Sequence, residues 1–203
     1  MTDTTLTLAQ IRATNPDADL FEILLAGLGG QYDPERCVSL GDVATISGVA
    51  SALWCIRALD WSDVAVRRVV IAGAALPAVR RALAHTTDQR VHDCVDAVAR
   101  WCGGEDGVDL RAEAAADAAL AARSEAEAEA ARAAEALAGA AAGAAGTVAA
   151  AAWAAVYAMV WAAARAAPTE AAGRSAWATE AGLLRDDIVA AFPPVALAGE
   201  TKR

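Results

Sequence analysis

Asp88, His92 and Asp96 recur at steps of four, which on a helix sets one imidazole between two carboxylates. This is the arrangement in the sequence nearest to a metal or acid–base cluster, although surface helices carry such pairs routinely. Cys94 follows His92 by two positions and points elsewhere on a helix, so a Cys–His nucleophile pair would need partners brought from a distance. The four cysteines, Cys37, Cys55, Cys94 and Cys102, have neither C-x-x-C spacing nor a small secreted framework around them. They read as buried small hydrophobes in a reducing, intracellular setting. The glycine-rich pieces at 27–30 and 103–107 follow predicted helices rather than strands and lack the lysine of a phosphate loop, so they read as helix stops. No catalytic residue, metal site or cofactor is expected, and the chain is expected not to be an enzyme.

Residues suited to binding are easier to find. Trp61, set between Asp60 and Asp63, can act as an anchor at a helix junction, with Asp63 beside it. Glu125, Glu127 and Glu129 form an acidic run able to meet a basic surface. The net charge is −9, and nearly all basic residues are Arg, with Lys202 the sole Lys. Such a balance opposes nucleic-acid binding, which needs clustered Lys and Arg to displace counterions. A basic protein partner fits it.

Helices must position these residues. Thr7 caps a short helix that Asn15-Pro16 ends, and Asp17 starts the next, with Leu20, Ile23, Leu24 and Leu28 at helical spacing and Gly29-Gly30 as the stop. Residues 31–38 read as a loop. Ser39 and Asp42 form a capping box with Asp in place of Glu, opening a helix that is bent or interrupted near Gly48. Ser62 or Asp63 caps the Arg-dotted helix that follows, in which Pro77 removes a backbone donor and should kink or split it. Thr87 is expected to cap the helix carrying Val91, Val95, Val98 and Cys102.

From residue 112 to 167 more than half the positions are Ala, the strongest helix former. Charges cover most of the first part, but Ala112, Ala115, Ala119, Ala122, Ala126, Ala130, Ala133, Leu137 and Ala140 recur at steps of three and four. This predicts one narrow seam of methyl groups along which helix axes approach closely. Gly139, Gly143 and Gly146 mark a turn or a close backbone contact. Beyond them TVAAAAWAAVYAMVWAAARAA carries Trp153, Tyr157 and Trp161 on a broad arc, with methyls on the rest. The aromatic face could line a cavity, and methyls on the second face predict contacts on both sides.

Residues 136–164 are long enough to cross a hydrocarbon core of about 30 Å, but alanine is a poor lipid-facing residue, so burial in protein is favoured over a membrane span. The N-terminus lacks a basic region followed by an apolar one, so a cytoplasmic location is expected. The reading is a single all-α domain, a multi-helix bundle with a long Ala-rich helical hairpin. Its parts are short compact helices over 1–104, long Ala-rich helices over 109–192 and a loose tail over 193–203.

ALWCIRAL at 52–59, the Arg-dotted helix at 64–83, VHDCVDAVARWCGGE at 91–105, the Ala tract with interspersed Trp and Arg, and the closing Leu-rich helix carry a resemblance. Together, over residues 40–192, they resemble the Ala-rich immunity-protein-5-like family of actinobacteria and their phages. That resemblance implies a non-enzymatic protein, immunity-type or phage-encoded, that binds and neutralises another protein. Family members often continue charge through the Ala–Trp repeats, whereas 136–164 is uncharged here, which leaves self-assembly through the Ala seam as an alternative. Sequestration of a small molecule by the aromatic face is a further one.

Overall fold

The computed structural model describes residues 4–143, 147–166 and 169–195, apart from the side chains of residues 149, 160, 161 and 163–165. It is an all-α, multi-helix protein carrying a single two-stranded ladder among these residues. The chain divides into two compact units, one of residues 1–66 with 185–203 and one of residues 67–184.

In the first unit, β1 (Leu6–Thr7) pairs antiparallel with β2 (Cys37–Val38), Leu6 opposite Val38. The sequence offers no alternation long enough to announce this, and residues 31–38 were expected to be a plain loop. Two residues per strand are too few to leave a period. Thr7 then caps α1 (Leu8–Ala13) in a reciprocal box with Gln10, and Asp17 caps α2 (Ala18–Gly27) through the N–H groups of Asp19 and Leu20. Asn15 turns the chain between them at φ 53°. The expected box of Ser39 and Asp42 opens α3 (Leu40–Ile46), and Gly48 at φ 88° separates it from α4 (Val49–Cys55).

The core of this unit gathers Leu6, Leu8, Ile11, Leu24, Leu28, Val38, Leu40, Leu53 and Ile56 with Ile188 and Phe192 from the other end of the chain. Asp42 is fully buried, and its Oδ2 accepts from the backbone N–H of Ser39 at 2.8 Å and from that of Val195 at 3.0 Å. Ser39 also donates its hydroxyl to the Phe192 carbonyl at 3.3 Å. The segment expected to be loose is therefore tied down as far as Val195, because a buried carboxylate at a helix start needs donors and these backbone groups supply them. Residues 196–203 lie outside the described residues.

α5 (Val64–Val70), which belongs to the second unit from Arg67 on, leads into a π-helical turn, Ile71–Ala75, and α6 (Leu76–Ala82). Pro77 explains the turn: it has no N–H for the carbonyl four residues back, and the ladder shifts so that Leu76 N–H donates to the Ile71 carbonyl, five back. Asp88, not Thr87, caps α7 (Gln89–Cys102), accepting from the Arg90 N–H; Thr86 in turn accepts from the Asp88 N–H at 3.2 Å. A carboxylate at that position outcompetes a hydroxyl one residue earlier, being both charged and in reach.

α8 (Ala112–Ala121) and α9 (Glu125–Ala142) follow, then α10 (Thr147–Ala166) and α11 (Glu170–Ala191). The seam is split: Ala122 is extended, and Ser124 caps α9 by accepting from the Glu127 N–H. It is also wider than one line. α9 buries Ala126, Ala130, Ala133, Leu137 and Ala140, and on a second face Ala131, Ala134, Ala138 and Ala141. The reason is that α9 packs against α7, α8, α6 and α10, and methyl groups admit neighbours on more than one side. Of the four seam positions, Ala126 and Ala133 are buried and Ala112 and Ala119 half-buried. Gly143, at φ 122°, ends α9, and Gly146 lies outside the described residues.

Candidate functional site

The residues with chemical potential are used structurally. His92 Nε2 lies 3.1 Å from the Thr86 carbonyl oxygen. Asp88 is hydrogen-bonded by the Arg90 guanidinium, which holds its carboxyl below the usual carboxylate range. Asp88, His92 and Asp96 thus form no shared centre, and among the described residues no group of three or more His, Cys, Asp or Glu is placed to hold a metal ion. Burial pushes the Cys55 and Cys94 thiols up to about 12 and Cys102 to about 11, so the reactive thiolate is suppressed at all three. Cys37 is exposed. Among the described residues no helix is long and apolar enough to cross a membrane.

Trp61 is half-buried, and its indole N–H is buried with no hydrogen-bond partner; Asp63 is exposed and caps α5 by accepting from the Ala65 N–H at 2.7 Å. Glu129 pairs with Arg132 one turn on. Trp153 and Tyr157 both meet Trp177 of α11, whose ring stacks on Trp153 at 5.4 Å with planes 2° apart and tilts against Tyr157 at 5.3 Å. The aromatic arc therefore serves the contact of α10 with α11, and the sequence reading, which had placed Trp177 only as an apolar docking position, missed it as the third ring. The Trp161 side chain lies outside the described residues.

What remains is a corner. Glu127 accepts from the Arg123 N–H at 2.8 Å, and with the Ser124 cap this bond fixes the turn that folds α8 back along α9. The turn and the connection into α7 enclose a recess of about 340 Å³, with Thr87, Asp88 and Glu127 on its polar side and Ala118, Ala121 and Ala131 on its apolar side. Leu120, one residue from this recess, is 89% exposed. Of the acidic run, only Glu127 lines the recess; Glu125, exposed, and Glu129, half-buried, stand two residues to either side of it and so on another face of α9.

A second, more open depression of about 590 Å³ is lined by Arg80, Asp93, Asp96, Ala99, Arg100 and Arg111. Arg111 pairs with Asp93 at 2.8 Å and Arg100 with Glu105 at 3.2 Å, so most of its charge is internally matched. Sequence reasoning found the acids of the first corner. It missed Leu120, because a lone Leu in an Ala helix looks like core until its face is known. Neither family models, curated proteins nor solved structures yield a match to this chain.

Proposed function

We propose that this chain is a non-enzymatic binding protein, immunity-type or phage-encoded, that associates with another protein and neutralises it. The observation that supports this reading is on α8, where Leu120, 89% exposed, shares one helix face with the exposed Glu113 and Asp117. An exposed apolar side chain among polar groups is the kind of anchor from which protein interfaces draw much of their affinity. The resemblance of residues 40–192 to immunity proteins points the same way.

The test is affinity capture from the native host with the full chain, followed by gel filtration of the eluate and an activity assay of whatever co-migrates. A stoichiometric partner whose activity falls on binding is expected; recovery of no partner would sink the reading. Assembly through the Ala seam is the rival, and the seam positions Ala126 and Ala133 are already buried within one chain, at 7% and 0% exposure. Light scattering should return the mass of one copy across concentrations.

A further inference from the structure

α11 is held unevenly along its 22 residues. None of residues 170–183 is buried, and Arg174, Ser175, Ala178 and Thr179 are exposed; the first buried side chain is Leu184, followed by Ile188. Among the described residues one ring cluster and one ion pair tie this stretch to its neighbours. Trp177 lies against Trp153 and Tyr157 of α10, and the Glu180 carboxylate meets Arg81 of α6 at 3.5 Å. Glu170 and Arg174 pair with each other one turn apart, which supports the helix but not its seat. A ring stack and a partly exposed ion pair are each a modest attraction.

The sequence of the stretch also works against its helix. Gly173 and Gly182 stand inside it, and a Cβ added at either would meet nothing within 4 Å. Packing therefore does not ask for glycine, and each weakens the helix about five-fold relative to Ala. Gly182 lies two residues before the buried Leu184, where the loosely held part meets the firmly held one.

The face beneath is uncharged. α10 has no ionised side chain from Thr147 to Ala164, and it turns Trp153 and Tyr157 toward α11 while Val148, Ala152, Val156 and Met159 are buried.

We propose that residues 170–183 are a releasable strap. They open as one unit about Gly182, with Trp177 as the latch, while α9 stays folded, and opening uncovers the aromatic face of α10. Elements that move to admit a ligand come from the least stable parts of a fold. This stretch joins that property to an apolar face that it alone shields with a ring. The device needs no particular partner, so it stands apart from the protein-binding reading.

Trypsin under native conditions reads the opening, because cutting within a helix requires local unfolding and its rate tracks the open population. Arg132 on α9 and Arg174 on α11 are both exposed. In the full-length chain Arg174 should be cut at least about a hundred-fold faster than Arg132. Gly182→Ala should slow the cut at Arg174 about five-fold, and Trp177→Ala should speed it about ten-fold, with the rate at Arg132 unchanged. Trp153→Ala should act in the same direction as Trp177→Ala, and the two together should fall clearly short of the product, since each removes the same stack. Backbone hydrogen exchange over residues 174–182 should follow the same ratios.

Equal cutting at Arg132 and Arg174 would mean that the chain opens only as a whole, and the proposal would fall. A Gly182→Ala rate equal to the parent's, or ring changes whose effects multiply, would overturn it as well. Gly182→Ala is a helix-favouring change into open space, so it decides the question even where a ring variant fails to fold.

Discussion

Arg67 Nη1 donates to the carbonyl oxygen of Ala141 at 3.2 Å, closing the C-terminal end of α9 with a positive charge. The last carbonyls of a helix have no partner within it and carry its negative pole, so a guanidinium there satisfies both needs. The same nitrogen would lie 3.1 Å from a Cβ added at Gly143, whose φ of 122° already excludes most side chains.

Removing the cap should therefore be costly. Arg67→Ala is expected to lower unfolding free energy by about 1.5–3 kcal/mol, the range for a hydrogen bond to a charged group, measured by urea denaturation. Gly143→Ala should cost at least about 1 kcal/mol from backbone strain alone. Combined with Arg67→Ala it should cost less than the sum, because the contact part of the penalty disappears with the guanidinium. Strict additivity would show that the two residues do not meet.

Gly41 tests the clasp on the end of the chain. A Cβ there would sit 1.9 Å from the Phe192 carbonyl oxygen, a backbone atom that cannot turn aside. Gly41→Ala should displace Phe192–Val195, release the Asp42 and Ser39 hydrogen bonds, and destabilise the chain by roughly 2–4 kcal/mol, in the upper part of the range for single substitutions. Faster proteolysis near residue 192 is the expected sign, and an unchanged cleavage pattern would argue against the clasp.

The buried thiols predict an alkaline limit. Burial raises Cys55 and Cys94 from an ordinary 9.0 to about 12, so above pH 9 the unfolded chain loses a proton that the folded chain keeps. Their contribution to stability is complete below pH 9 and is lost as pH rises toward about 12. Urea midpoints should fall across that window, and Cys55→Ala with Cys94→Ala should flatten the fall.

The wide burial of α9 separates two seam positions that look alike in sequence. Ala133→Leu, at a site with 0% exposure, should cost about 1–3 kcal/mol through overpacking. Ala119→Leu, at a half-buried site on α8, should cost no more than about 0.5 kcal/mol. Similar losses at both would mean that α8 packs as tightly as α9.

Local chemistry was legible in the sequence: the Ser39–Asp42 box, the caps at Thr7 and Asp17, the break at Gly48, the disruption around Pro77 and the end of α9 at Gly143 each follow from backbone geometry within a few residues. So did the all-α class, which alanine content and helical spacing impose. Tertiary structure alone decided how α9 is surrounded, since a methyl looks the same whether one neighbour covers it or two. It decided that Trp177 completes the aromatic stack, that Val195 returns to Asp42, and that Leu120 stays outside. Those are contacts between residues far apart in the chain, or faces assigned only when a neighbour arrives, and helical periodicity carries no information about which neighbour that is.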